Sequence, residues 1–299
     1  MKLSLCCISN VLAEEDVKFR TMTYKSFSSK DRSESLEKLS DIVRNNFNTT
    51  EKIIRHCAAV GIKGYRISSD LTPVINHPEV NLNISELPNF KLIQYEINKV
   101  KKAIKETGIR VSAHPSEYIS LTSDDPNVIK NSIRDLEQHA EIFDLLELEN
   151  NTYNPLNIHC RKDGDPIEIS DKFKKNFELL SDRVKSRLVL ENNDNAKGVW
   201  SIRNLIKYFP GYSITFDILH HKMLSDQYTE REAFDAAYNT WKFEPIFHYS
   251  EGKNNTRAHK DMAESLPPDY GKDVIWDVEL KGKDHAILEM LNRGGQNGN

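Results

Sequence analysis

The chain has 299 residues, 38% of them hydrophobic and 29% charged, enough for one large domain with a sizeable core and a polar surface. Its net charge of −4 neither suggests nor excludes a polyanionic partner, because local patches matter more than the total. No apolar run approaches the roughly 20 residues of a membrane span, so no membrane partner is expected. The N-terminal stretch is too short for a signal peptide and reads as a first strand, which points to a cytoplasmic location, or a nuclear one in a eukaryote. Cys6, Cys7, Cys57 and Cys160 form no Cys-x-x-Cys pair and read as buried free thiols.

Strand and helix signals alternate along the chain. Eight strand-like runs stand out: Leu3–Ser9, Gly64–Ser68, Arg110–Ala113, Pro155–His159, Arg187–Glu191, Tyr212–Leu219, Pro245–Tyr249 and Val274–Leu280. After the first run, Glu14 to Asp41 is a long polar excursion that reads as a helix or loop over one end of the domain. Ile53, Ile54, Cys57 and Ala58 then predict a helix stopped by Gly61. Ile93, Ile97, Val100 and Ile104 recur at helical spacing before Gly108. Pro126 suits the first turn of a helix whose core face holds Ile129, Ile133, Leu136, Ala140 and Phe143. Ser170 is expected to cap a helix presenting Phe173, Phe177 and Leu180, and Thr229 with Glu232 has capping-box spacing. The segment 291–299 reads as a disordered tail to a single domain of residues 1–290. Eight strands separated by helices fit an α/β fold, the TIM (β/α)8 barrel. An open doubly wound sheet is the runner-up, and neither Gly-rich nucleotide loop motif occurs.

The strand ends carry the chemistry. His114, His159, Glu191, Asp217, His220, His248 and Glu279 fall at or near the ends of apolar runs, and His77 and His259 lie in loops just past two others. Taken singly, a strand-end histidine is more often a hydrogen-bonded structural residue, and Asp217 or Glu279 alone can cap a helix. Together they converge, because barrel-strand C-termini meet on one face. Asp217-x-x-His220 is the most specific local signal, and Glu191 is the first candidate for a carboxylate bridging two cations. His56 and His139 sit in helical patterns, His221 and His285 lack a strand-end partner, and Cys6, Ile8 and Cys160 read as packing residues. Two or three divalent ions held by such groups suit phosphodiester hydrolysis, since they generate a nucleophile from water and neutralise phosphoryl charge. A sugar isomerase or epimerase on the same barrel is the alternative from another class, but would lean less on histidine.

With those residues set out, the chain resembles the UV damage endonucleases, relatives of the endonuclease IV type of apurinic-site nuclease. The resemblance spans about residues 1 to 290 and rests on the following segments in order: the opening strand ending at Asn10; Tyr65-Arg66-Ile67-Ser68-Ser69-Asp70-Leu71; His114-Pro115-Ser116-Glu117-Tyr118; Asn157-Ile158-His159; Leu190-Glu191-Asn192-Asn193-Asp194; Asp217-Ile218-Leu219-His220; Phe247-His248-Tyr249-Ser250; and Arg257-Ala258-His259-Lys260-Asp261. It implies a monomeric phosphodiester hydrolase of DNA repair. The expected reaction is incision of double-stranded DNA immediately 5′ to cyclobutane dimers and 6-4 photoproducts, leaving a 3′-hydroxyl and a 5′-phosphate.

The resemblance also implies up to three divalent ions, manganese foremost, with zinc, cobalt or magnesium as alternatives. The implied ligands are His77, His114, His159, Glu191, Asp217, His220, His248, His259 and Glu279, with Glu191, Asp217 and His248 at the catalytic centre. Glu117 and Tyr118 fall where the family inserts two residues into the DNA stack, and Tyr118 has the aromatic face that such a role needs. Glu117 departs from the glutamine expected there, and Ile246 stands where the family can carry a carboxylated lysine. Asn10 is expected to face the lesion. Arg66, Lys222, Lys253, Arg257, Lys260 and Lys281 are candidate phosphate contacts, although each can equally be a solvated surface charge. An apurinic-site endonuclease is the nearest alternative activity.

Overall fold

The computed structural model describes residues 1–296, apart from 117 and 196. Eight strands form one sheet: β1 (Lys2–Cys6), β2 (Gly64–Ile67), β3 (Arg110–Ala113), β4 (Leu156–His159), β5 (Leu188–Glu191), β6 (Ile214–Thr215), β7 (Ile246–Tyr249) and β8 (Ile275–Val278). All pairings are parallel, in the order β6-β5-β4-β3-β2-β1-β8-β7. The two end strands meet through a parallel bridge between Asp217 and His248, where the His248 N–H donates to Phe216 O at 3.0 Å. That contact turns the sheet into the expected TIM barrel.

Nearly every strand residue is buried, as parallel strands covered on both faces require. Alternation divides the residues between two cores. Outward-facing Phe247 and Trp276 pack against Phe234 of the helix Glu230–Tyr238. Inward-facing positions are largely polar: Ser4, Arg66, Ser112, Asn157, Glu191, His248 and Asp277 are all buried. A barrel interior lined this way needs internal partners for each group, and that requirement shapes the site.

Several sequence expectations hold. The helix Phe90–Thr107 ends on Gly108 in the left-handed region, φ 67°. The helix Pro126–Leu145 starts with proline in its first turn, and Thr229 with Glu232 forms the capping box. Others need correction. The helix Pro166–Phe177 is capped by Asp165, and Ser170 lies inside it, its hydroxyl donating to Ile167 O at 2.9 Å. The polar excursion Glu14 to Asp41 contains the short helix Tyr24–Ser28 and then the first ten residues of a 28-residue helix, Arg32–Ala59. Its buried face includes Ser35, Ser40, Asn46, Thr49 and Thr50, which interrupt the apolar period. Asn46 is buried for a reason: it accepts from Arg20 N–H at 2.8 Å and donates to Arg20 O at 2.8 Å and Asp70 O at 2.9 Å, tying the β1 and β2 loops together. The sixth strand stops at Thr215, because the Asp217 carboxylate accepts the His220 N–H at 2.7 Å and starts the helix Ile218–Met223. The final helix Asp284–Gln296 runs past the expected start of the tail.

Gly64 marks a tight point of the interior, where β1, β2 and β8 approach one another. A Cβ added there would lie 2.7 Å from Ser4 Cβ and 3.2 Å from Ile275 Cγ2. Gly64→Val is therefore expected to destabilise the fold by about 1–3 kcal/mol through overpacking. Thermal unfolding checks this, and an unchanged midpoint would mean that the interior can expand at β1 and β2.

Candidate metal centre

Glu191 ends β5 with 1% exposure. Four imidazoles from four other chain segments surround its carboxylate. His114 Nε2 and His159 Nε2 lie 3.2 and 3.8 Å from Oε2, and His220 Nδ1 and His248 Nδ1 both lie 3.2 Å from Oε1. Neighbouring rings of the group are spaced 5.3 to 6.0 Å apart between centroids. Asn157, two residues before His159 on β4, donates its amide to Glu191 Oε2. Asp217 approaches from the barrel seam, 3.9 Å from both His220 and His248. Asn192 fixes Asp217 by accepting from its N–H at 2.8 Å and donating to its carbonyl at 3.0 Å. Glu279, just past β8, completes the far side, with Oε1 3.5 Å from His248 and Oε2 3.9 Å from His259.

The arrangement fits divalent cations. His114, His159 and Glu191 each offer a ligand atom within 4.8 Å of the others, and so do Glu191, Asp217 and His248. Glu191 belongs to both sets, which is the geometry of a bridging carboxylate. Buried donor atoms there lack hydrogen-bond partners, notably Asp217 Oδ2 and His248 Nδ1. Such atoms are costly in a native interior unless something binds them. The donor set of imidazole nitrogen and carboxylate oxygen, without thiolate, suits manganese, zinc, cobalt and related ions. His114 Nδ1 lies 3.0 Å from Pro115 O, and donation of its N–H there leaves Nε2 free for the centre.

The groups polarise one another. Burial alone would raise the Glu191 carboxyl, but His159 and His248 hold it well below the ordinary carboxylate range. Burial pushes Asp217 upward against the pull of His220. Burial pushes His159 down to about 4, so it is neutral and ready to coordinate. Against the same burial, Glu191 and Glu279 push His248 up to about 9, and Asp217 with Glu191 raises His220 well above the usual imidazole value.

Seven of the nine ligand-type positions join this cluster directly, and His259 reaches it through Glu279. His77 makes its described contacts elsewhere: its ring stacks on Tyr24 at 3.9 Å and 9°. Arg66 needs correction as a phosphate contact. It faces inward from β2, is 9% exposed, and pairs with Glu279, so its charge is held inside the barrel. Lys260 pairs with Glu251 and Glu264, and Arg257 bridges to Asp194 at 3.1 Å across the β7 and β5 loops. Lys222 lies 3.9 Å from Glu230, while Lys253 and Lys281 are exposed. Asn10 sits at the rim and donates to Lys281 O at 3.3 Å. Tyr118 is 79% exposed, while Glu117 lies outside the described residues. Ile8 is 41% exposed at the rim rather than packed, whereas Cys6 and Cys160 are buried as expected. Ile246 is buried on β7, one inward position below His248. Beside the cluster, His159, His220, Arg161, Asn193, Asp194 and Arg257 line a polar cavity of about 590 Å³.

Sequence reasoning gave no role to Asn157, Asp277 or Ser112. The available signal was a polar residue two positions before a strand-end ligand, which alternation places on the same inward face.

Known proteins resemble this chain along its length. A model of the family described as UV-endonuclease UvdE matches residues 1–296. A UV DNA damage endonuclease of Nostoc sp. is 29% identical over 299 residues, covering 97% of this chain and 89% of that protein. The crystal structure of SacUVDE superposes with a TM-score of 0.83 at 25% identity, covering 99% of this chain and 98% of that one. A D-tagatose 3-epimerase-like protein shares only the barrel, with a TM-score of 0.55 at 15% identity over 78% of this chain and 88% of that one.

His220 and His248 carry protons in the metal-free protein at neutral pH, and an ion must displace them. Mn²⁺ affinity is therefore expected to rise with pH toward about 9, with proton release on binding. Calorimetric titration in buffers of different ionisation enthalpy measures this. A pH-independent affinity without proton release would contradict it.

Proposed function

The chain belongs to the UV-endonuclease UvdE family, and on that premise we propose that it is a metal-dependent repair enzyme that cuts duplex DNA immediately 5′ to UV photoproducts, leaving a 3′-hydroxyl and a 5′-phosphate. The carrying observation is Glu191, a buried carboxylate shared by two candidate cation sites at the mouth of the barrel. Up to three divalent ions, manganese foremost, would be held by His114, His159, Glu191, Asp217, His220, His248, His259 and Glu279, with His77 as a further ligand from its loop. Bound there, such ions supply a nucleophile at neutral pH and neutralise charge on the phosphoryl and leaving oxygens.

The chain's own residues do the rest. Glu191 would hold ions of both candidate groups, and Asn157 fixes the plane of its carboxylate. Asp217 is held by Asn192 and by the helix it caps, so it presents its free oxygen without rearrangement. The damaged step unstacks at lower cost than a sound one and leaves the duplex for the mouth. Tyr118 is exposed and offers a ring to fill the gap, and Glu117, its neighbour in sequence, is the second residue proposed for this role. Asn10 meets the extruded bases from the rim, and Lys222, Lys253, Arg257, Lys260 and Lys281 flank the backbone. No described helix is long and apolar enough to cross a membrane.

Glu191→Gln is expected to lower incision of a photoproduct duplex by more than about 100-fold, since losing a bridging ligand should exceed the cost of losing an outer partner. Binding of the same duplex is retained. Nicking of defined lesions with Mn²⁺, beside an abasic duplex, tests the reading. Robust abasic cleavage without photoproduct cleavage would overturn it in favour of an apurinic-site endonuclease. Tyr118→Ala is expected to reduce discrimination between damaged and intact DNA while leaving Mn²⁺ binding unchanged, measured by competition binding and calorimetry.

A further inference from the structure

One carboxylate near the centre is not accounted for by the ligand set. Asp277 lies on β8 two residues before Glu279, so alternation aims it into the same interior one layer deeper. It is completely buried. Its Oδ2 accepts from Ser112 Oγ at 3.3 Å, and its Oδ1 has no hydrogen-bond partner. A wholly buried carboxylate held by one neutral hydroxyl is expensive and calls for a reason.

The register supplies one. Asp277 is the direct cross-strand partner of His248, and its Oδ2 lies 3.8 Å from His248 Nε2. The opposite ring nitrogen, Nδ1, points at the centre, 3.2 Å from Glu191 Oε1, 3.5 Å from Glu279 Oε1 and 3.9 Å from Asp217 Oδ2. Arg66 is the other charge in reach, but it pairs closely with Glu279 and stands 3.9 Å from Asp277. The imidazole thus lies between a cluster of ligand oxygens on one side and one lone carboxylate on the other.

We propose that Asp277 is a positioning residue of the metal centre. It receives the Nε2–H of His248, sets the tautomer and tilt of that ring, and so presents the Nδ1 lone pair to an ion shared with Glu191 and Asp217. Ser112 holds Asp277 in turn. A metal-bound histidine oriented through its second nitrogen by a carboxylate is a general means of raising ligand basicity. The inference rests on the metal-dependent reading of the site, and its test needs no DNA and no turnover.

Mn²⁺ binding to the metal-free full-length protein is measured by titration calorimetry and by the electron paramagnetic resonance signal of free Mn²⁺. Asp277→Asn, confirmed folded by circular dichroism, is expected to bind Mn²⁺ about 10- to 100-fold more weakly. Its His248 ring nitrogens are expected to lose the Nε2–H signature in ¹⁵N spectra. Ser112→Ala is expected to weaken Mn²⁺ in the same direction by a smaller factor. A purely structural Asp277 would lower the unfolding temperature and leave both the affinity and the ring signature of the folded protein unchanged, which would overturn the proposal. If Asp277→Asn does not fold, unchanged affinity in Ser112→Ala overturns it. If wild-type protein fails to bind Mn²⁺ at all, the metal-dependent reading itself falls.

Discussion

The burial of Glu191 is the constraint to which the rest of the barrel mouth answers. A carboxylate removed from water is tolerated only with close partners, and here four imidazoles and one amide converge on two oxygens. Those partners come from β4 and β7 and from the segments just past β3 and β6, so one side chain gathers groups from four of the other strands or their ends. Asp217 and Glu279 add further negative charge beside it. Protons on His220 and His248 balance that charge in the metal-free protein, and divalent ions would balance it better. The same electrostatics that make the interior costly make it selective for cations.

Around this centre the loops are braced at points that do no chemistry. Buried Asn46 ties the segment after β1 to the segment after β2. Asp284 is fully buried and receives Ser9 Oγ and the N–H groups of Asn10 and Val11, so the rim residue Asn10 is carried on a fixed turn. Asp163 accepts from Asn195 and from the Val199 N–H, holding the β4 and β5 loops against each other. Against this stiff surround, Tyr118 stands in solvent on the β3 loop. In the role proposed for it, Tyr118 would probe the duplex from this braced rim.

Much of this was readable from the sequence, for a physical reason. Buried parallel strands appear as short apolar runs, and a charged or imidazole residue ending such a run has few places to go except the open end of a barrel. Glu191, His114, His159 and His248 follow that rule. What escaped had ambiguous local signals. The Arg32–Ala59 helix buries serine, threonine and asparagine, which blurs its period. Ile218 and Leu219 continue an apolar run, yet belong to a helix because Asp217 caps it. Arg66 has the composition of a phosphate contact, but strand parity turns it inward to Glu279. His77 lies in a loop, where no period constrains direction, and its ring rests on Tyr24. Asp277 and Asn157 were visible only as polar interruptions in apolar strands, and their partners lie on other strands.

The barrel is closed at the β6–β7 edge by Asp217 and His248, the same two residues that with Glu191 form one of the candidate cation sites. The other neighbours pair over two to four residues, except β3 and β4, which share the single pair Ala113 and Leu156. An ion bound at this edge would act as a rivet through the hoop, adding bonds where the backbone supplies a single bridge. Structural integrity and readiness for chemistry would then be one property: a molecule without such an ion would have only the backbone bridge at its seam, and a loosened seam would spread the ligands apart.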